Sequence, residues 1–149
     1  MAETFHVEVV AASQSVWEGE ATQLTATTTE GEIGILARHG PLLAMLAGGD
    51  TAAGLKNAAL GREPGPVVVT TADGRSEVIA VDGGFLAVES DRTAVISPYA
   101  QLAEEISLDE AQANLRRAQA KRDGGDNSPQ TLRDYHRAIA QVKAVSRKV

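Results

Sequence analysis

The sequence predicts a mainly β chain with a helical tail. An N-terminal antiparallel β-sandwich is expected over residues 1–98 and a C-terminal antiparallel helical hairpin over residues 99–149. Short runs of β-branched and apolar residues recur up to Ile96, separated by Gly, Asp and Pro turns. After Ser97-Pro98 the apolar spacing changes from two residues to three or four, the helical period. Charge divides at the same place: residues 1–98 carry 13 acidic and 5 basic side chains, net -8, whereas residues 99–149 carry 7 and 9, net +2. Two parts with different partners follow from that asymmetry.

Phe5-His6-Val7-Glu8-Val9 alternates apolar and polar and reads as a half-buried strand. Ser13-Gln14-Ser15 is a turn, and Val16 to Thr29, with Trp17, Leu24 and a Thr-rich end, suits a bent strand or a strand pair. Trp17 is expected to serve as core or edge packing rather than as an anchor for a partner. Glu30-Gly31-Glu32-Ile33-Gly34-Ile35-Leu36 and Leu42-Leu43-Ala44-Met45-Leu46 read as two short buried strands around a polar break, Ala37-Arg38-His39-Gly40-Pro41. Thr51 to Leu60 is ambiguous, because its helix-forming Ala and Leu residues are interrupted by Gly54. Val67–Thr71, Arg75–Val81, Phe85–Glu89 and Thr93–Ile96 follow as strands. Asp73-Gly74, Asp82-Gly83-Gly84 and Ser90-Asp91 punctuate them, Asp-Gly being a strong hairpin signal. Roughly eight to ten short strands are expected.

In the tail, Ser107-Leu108-Asp109-Glu110 forms a capping box that starts a helix. Asp123-Gly124-Gly125-Asp126-Asn127 stops it, and Ser128-Pro129 caps a second. The first apolar stripe is Leu108, Ala111, Leu115 and Ala118; the second is Leu132, Tyr135, Ile139, Val142 and Val149. Leu108 and Leu115 are expected to supply most of the first helix's burial, at about 1.5–3 kcal/mol each. The hairpin is therefore expected to be marginal alone and able to dock in more than one place.

A net charge of -6 argues against a nucleic-acid surface. The absence of cysteine excludes disulfides, thiolate metal sites and a Cys nucleophile. The N-terminus lacks the features of a signal peptide, and no apolar run approaches the roughly 20 residues of a membrane span. A soluble, cytoplasmic protein is expected, with any membrane association made through a partner. Phosphate-loop, dinucleotide and zinc-protease motifs are missing, and His6, His39 and His136 are far apart in sequence. Glu30 and Glu32 read as solvated turn carboxylates and His39 as an exposed contact histidine, so catalysis, metals and cofactors are not expected.

Gly31-Glu32-Ile33-Gly34-Ile35-Leu36 followed by His39-Gly40-Pro41-Leu42-Leu43 resembles the epsilon subunit of bacterial F-type ATP synthases, which carries Gly-Glu-Leu/Ile-Gly-Ile-Leu/Tyr-Pro-x-His-x-Pro-Leu-Leu there. Phe5-His6-Val7, Asp82-Gly83-Gly84-Phe85-Leu86-Ala87-Val88 and Leu108-Asp109-Glu110-Ala111 fall in matching order, so the likeness covers nearly the whole chain. It implies a non-catalytic central-stalk subunit that couples proton-driven c-ring rotation to ATP synthesis. It also implies a peripheral place at the cytoplasmic face of the cell membrane, held there through the complex. Carried over by position, Glu32, Arg38 and His39 would face the c-ring, with Gly34, Ile35, Leu36, Pro41 and Leu42 as the scaffold of that loop. The gamma subunit would be the other rotor partner. The hairpin would inhibit ATP hydrolysis by reaching the catalytic alpha and beta subunits, with Arg116, Arg117, Lys121, Arg122 and Arg137 as its basic contacts.

Some of the family bind ATP in the hairpin through an Ile/Leu-Asp-x-x-Arg-Ala motif. Here Asp109 is kept, Gln112 stands where the motif has Arg, and Arg137 stands for one second-helix arginine while Gln141 replaces another. A neutral amide cannot supply a charge-assisted bond to phosphate, which counts against ATP binding. The loop also departs from the family at Ala37, where Pro is usual, and Gly48 to Pro66 is longer than usual. The competing readings are a free-standing β-sandwich binding module with a coiled-coil tail and a small hydrolase using His39 and Glu32.

Overall fold

A computed structural model describes residues 3–12, 14–49 and 63–147. The ambiguous Thr51 to Leu60 stretch lies outside these residues, as does Val149. Among the described residues nine strands form one hydrogen-bonded network: β1 (Phe5–Ala11), β2 (Gln14–Thr28), β3 (Gly31–Leu36), β4 (Leu42–Met45), β5 (Val67–Thr71), β6 (Ser76–Val81), β7 (Phe85–Glu89), β8 (Arg92–Ser97) and β9 (Ala100–Leu102). The order is β4-β7-β8-β1-β2-β5-β6-β9, with β3 also on β2. All pairs are antiparallel except β1 with β8.

The 15-residue β2 is one bent strand. Its first half pairs with β1 and its second with β3 and β5. Register shifts between Val9 and Val10 and between Ala21 and Gln23 mark where the ladder is irregular, and such bulges bend a strand and increase its twist. Two layers, β4-β7-β8-β1-β2 and β3-β2-β5-β6-β9, thus share β2 and face each other. A Thr28–Leu46 bridge joins them again at one corner. Alternate residues point into a single core: Phe5, Val7 and Val9 from β1, Leu24 and Ala26 from β2, Ile35, Val67, Val69, Ile79, Val81, Leu86, Val88 and Val95. Fully burying each such Val, Leu or Ile side chain contributes about 1.5–3 kcal/mol. Trp17 is half-buried against that core, its ring lying over Gly19.

Several expectations are corrected in detail. The strands β3 and β4 are not wholly buried and do not pair with each other; Leu36, Leu43 and Met45 are exposed. Asp73-Gly74 does turn the β5–β6 hairpin, and Ser90-Asp91 turns β7–β8. Asp82-Gly83-Gly84 instead carries the chain from one layer to the other, because β6 and β7 are not partners. At this corner Asp82, buried, accepts the Gly49 N–H at 2.8 Å, and the Gly83 N–H donates to the Ala47 carbonyl at 3.0 Å. Gly84 has φ of +101°, and a Cβ there would collide with the Ile96 carbonyl. The sheet also runs past Pro98: β9 pairs with β6 and is followed by a short 3-10 turn, Ala103–Glu105.

The hairpin consists of α1 (Leu108–Asp123) and α2 (Pro129–Arg147). Ser107 caps α1 by accepting the Glu110 N–H, and Ser128 caps α2 by accepting the Thr131 N–H, both at 3.3 Å. Of the expected stripes, Ala111, Ala118 and Ile139 are buried, while the leucines of the first helix contribute less than expected. Ala111 and Ala118 are the buried residues of α1, whereas Leu108 is 37% exposed and Leu115 half-buried. In α2, Ala140 and Ala144 pack without exposure against Val78, Ala80 and Ala103, which docks the hairpin on the β6 side of the sandwich. Alanine lets backbones approach closely but buries little area, so this docking is weak by construction.

Replacing Gly84 by Ala is expected to lower folding stability by more than about 2 kcal/mol, from left-handed strain plus the clash. Gly40→Ala, with nothing within 4 Å of the added carbon, is expected to stay within about 0.5 kcal/mol. Chemical denaturation of the two variants checks the pair.

Candidate functional site

The chemistry-bearing surfaces lie at the two ends of the sandwich and along the hairpin. At one end the β3–β4 loop turns back through the His39 N–H donating to the Leu36 carbonyl at 3.2 Å. Arg38 takes a left-handed φ of +63°, unusual for a residue with a side chain, and its guanidinium reaches Glu3 at 2.8 Å. The His39 Nδ1–H donates to the Gly40 carbonyl at 2.7 Å, which fixes the tautomer and leaves Nε2 for a partner. Glu3, Thr4, Ala37, Arg38, His39, Ser90 and Asp91 line an open groove of about 540 Å³.

The predicted loop residues do not converge on one point. Glu32 sits at the far end of β3 from Arg38 and His39, roughly 13 Å along the strand at the usual rise per residue. Glu32, Gly34 and Leu36 instead share the exposed face of β3, which leads into the Arg38–His39 loop as a single strip. Ile35 points the other way, buried at 1% exposure, and Leu42 is half-buried against the core, while Pro41 is exposed in the loop. Gly34 is unusual: it has no positive φ, and a Cβ there would meet nothing within 4 Å. The chain itself therefore does not require glycine at this position, and such a strand glycine often marks a close approach by another backbone.

The opposite end is apolar. Met45, Phe85 and Ile96 are in direct cross-strand register on β4, β7 and β8, exposed at 55%, 47% and 49%. Beside them runs a cleft of about 370 Å³ lined by Ala12, Leu46, Gly48, Gly49, Gly83, Gly84 and Pro98 among others. Contiguous exposed apolar side chains of this kind mark an interaction surface. Sequence reading missed this face, although β7 carries apolar residues on both alternating sets, Phe85 and Ala87 on one and Leu86 and Val88 on the other, a pattern that signals a strand covered on both sides.

On the hairpin, three of the five predicted basic residues come together. Arg117 and Lys121 of α1 and Arg137 of α2 line a groove of about 340 Å³ with Asn114, Thr131, Asp134 and Gln141. Arg122 instead stacks over the Tyr135 ring at 4.3 Å, and Arg116 is exposed. Asp109 and Gln112 lie exposed near the start of α1 and do not line this groove. Arg137 lies over the Tyr99 ring at 5.3 Å, and its buried Nε has no hydrogen-bond acceptor among the described residues. Tyr99 ties the hairpin to the sandwich: it accepts from Gln141 Nε2 at 2.8 Å and donates to Gln101 Oε1 at 2.6 Å. Burial pushes the Tyr99 phenol up, against the opposing effect of the Gln141 bond. A second tie is the His136 Nδ1–H, 3.1 Å from the Gly49 carbonyl and 4.0 Å from the Asp82 carboxylate.

Among the described residues, His6, Glu8 and Glu18 bring ligand-type atoms within 4.8 Å of one another. Both imidazole nitrogens are already bonded to carboxylates, so the arrangement is that of a cation held by anions rather than a metal donor set. No helix among the described residues is long and apolar enough to cross a membrane.

Comparison with known proteins agrees with this architecture. The family described as the ATP synthase delta/epsilon chain, beta-sandwich domain, matches residues 4–59. The ATP synthase epsilon chain of Streptomyces avermitilis is 38% identical over 146 residues, covering 98% of each chain. That of Cutibacterium acnes is 36% identical, covering 93% of this chain and 89% of its own. Among solved structures, a chain of the Euglena gracilis mitochondrial ATP synthase (OSCP/F1/c-ring) superposes with a TM-score of 0.71. It shares 20% identity and covers 93% of this chain and 78% of that one, a likeness of fold.

The geometry separates scaffold from surface within one strand. Ile35→Ala is expected to cost about 2–5 kcal/mol of folding stability, whereas Leu36→Ala, at a position 59% exposed, should cost under about 0.5 kcal/mol. Thermal and urea unfolding of both variants tests the distinction.

Proposed function

The chain belongs to the ATP synthase epsilon-chain family, a non-catalytic subunit of the complex, and on that premise we propose that it is a rotor subunit bridging the c-ring and the gamma subunit. The observation that carries the reading is that the sandwich presents two unlike surfaces, one running along β3 to the Arg38–His39 loop and one formed by Met45, Phe85 and Ile96. Arg38 and His39 form a polar, hydrogen-bonded loop, and the exposed Glu32, Gly34 and Leu36 positions of β3 lead into it; we read this surface as suited to the hydrophilic loops of c subunits. The Met45–Phe85–Ile96 face is apolar and suited to a permanent partner, which we assign to gamma. A subunit that transmits torque needs two such surfaces on one rigid body, and the shared strand β2 supplies the rigidity.

The rotor-contact domain then extends beyond the expected boundary at residue 98 to include β9 and the 3-10 turn, and the regulatory hairpin consists of α1 and α2. The hairpin's small alanine interface and its two polar ties make it the part able to leave the sandwich. Released, it would present Arg117, Lys121 and Arg137, flanked by Arg116 and Arg122, to acidic segments of the catalytic alpha and beta subunits and restrain hydrolysis. On this reading the chain works at the cytoplasmic face of the membrane, held there through the complex with no direct lipid contact required. Gln112 in place of a cation, and the distance of Asp109 and Gln112 from the basic groove, argue against an ATP site on the hairpin.

Phe85→Glu is expected to abolish co-purification with gamma, while Gly34→Val leaves the stability of the isolated chain unchanged or raised and weakens capture by the c-ring at least tenfold. Equal loss of both partners in both variants would contradict the assignment of separate surfaces. Removing residues 107–149, which spares β9 and the 3-10 turn, is expected to keep rotor assembly and raise ATP hydrolysis severalfold in the reconstituted complex. Unchanged hydrolysis would remove the regulatory role and leave the assembly role standing.

A further inference from the structure

On the exposed face of β1 and β2, His6 lies between two carboxylates. Its Nδ1 is 2.8 Å from Glu20 Oε2 and its Nε2 is 2.7 Å from Glu18 Oε2. Ionised carboxylates only accept hydrogen bonds, and a neutral imidazole has a single N–H. Both contacts can be satisfied together only when the ring carries two protons. With both glutamates ionised the geometry favours the imidazolium, and the carboxylates that bond it push its pKa above the ordinary histidine value. Other groups around it do not change the sign. Glu8 follows two residues along β1 on the same face and is opposite Glu18, adding negative charge. Arg92 of β8 is in register with His6 and is the cation nearest along the sheet. Two carboxylates in direct hydrogen-bond contact outweigh one cation across the strand spacing.

The same residues reach the polar end of the sandwich. Thr4 Oγ1 donates to the other oxygen of Glu20 at 3.4 Å, and the His6 N–H donates to the Asp91 carbonyl at 2.7 Å. Thr4 and Asp91 line the groove beside Arg38 and His39, and Glu3, next along, holds the Arg38 guanidinium. Arg38 is in a left-handed conformation that is unfavourable for a residue with a side chain, and the Glu3 contact adds to the loop's own hydrogen bonds in holding it. We infer that His6 is a positioning residue for the Arg38–His39 loop: doubly protonated, it fixes the start of β1 through Glu18 and Glu20, and that fixed strand start lets Glu3 hold Arg38. Loss of one proton breaks one of the two carboxylate contacts, frees a glutamate and loosens Thr4 and Glu3. A raised pKa means the hold is fully present below the ordinary histidine value and is lost as pH rises through the higher folded value. The inference rests on the reading of this loop as a contact surface only for its biological meaning.

The test uses the full chain alone, followed by NMR from pH 5 to 9, in a His39→Gln background so that the loop's own histidine does not contribute. The expected result is a His6 ring midpoint displaced upward from the ordinary histidine value, lowered by Glu20→Gln. The Glu3, Thr4 and Arg38 amides should follow that same midpoint, and His6→Gln should abolish their shared transition. A His6 midpoint at or below the ordinary value overturns the inference. So does an Arg38 transition that survives His6→Gln, or one absent from the parent chain. Glu20→Gln keeps the histidine in place, so a poorly folded His6→Gln still leaves the displacement readable. Failure of c-ring capture, measured separately, would remove the contact reading and leave this titration result untouched.

Discussion

The structure depends on one strand serving two layers. The strand β2 gives its first half to β1 and its second to β3 and β5, so both sheets are hydrogen-bonded to one backbone. Its inward residues Ala21, Leu24 and Ala26 are buried where the two layers meet. Bending a strand by irregular pairing costs ladder bonds locally, but it sets the layers face to face without a separate linker. It also fixes the placement of β3 and β1 relative to each other. Arg38 at the end of β3 meets Glu3 at the start of β1 because both strands pair with β2, and the polar end of the sandwich exists for that reason.

The second joint is the crossing of the Gly48-Gly49 segment with Asp82-Gly83-Gly84. All four glycines have positive φ, and added carbons at Gly48, Gly83 and Gly84 would collide with neighbouring atoms. Backbone packs directly on backbone here, and the buried Asp82 carboxylate accepts a main-chain N–H. The corner borders the apolar face of Met45 and Phe85 on one side and receives His136 of the hairpin on the other. The corner thus borders both a candidate interface and the docked hairpin.

Most of the fold was legible because its signals are local. Period-two alternation marked β1, the switch to helical spacing marked the hairpin, and Ser107 and Ser128 announced both helix starts. What was not legible depends on which strands meet. Asp82-Gly83-Gly84 reads as a hairpin turn from its residues, and only the pairing of β6 with β9 and of β7 with β4 makes it a crossing. The separation of Glu32 from His39 follows once β3 is a regular extended strand. The apolar face required knowing that Met45, Phe85 and Ile96 stand in register on three strands distant in sequence. On the helices, a search for large apolar residues favoured Leu108, but the packing chose Ala111, Ala118, Ala140 and Ala144, because close approach of helix to helix and helix to sheet selects small side chains.

The docked hairpin holds features that oppose one another. Gln141 and His136 make hydrogen bonds to the sandwich, and Ala140 and Ala144 fit closely against it, which favour docking. Against them, Arg137 is held with its Nε buried and without an acceptor among the described residues, compensated only by the face of Tyr99. An unsatisfied buried donor costs about 1–3 kcal/mol, and a cation over an aromatic ring returns about 0.5–2 kcal/mol, so the two nearly cancel. The remaining stabilisation comes from two polar ties and a few alanine methyls, a small sum. Moving the hairpin away would rehydrate Arg137 and uncover little apolar surface, which keeps the energetic difference between docked and released positions low. A partner offering carboxylates to Arg117, Lys121 and Arg137 would then need only modest affinity to draw the hairpin off, as the proposed restraint on hydrolysis would require.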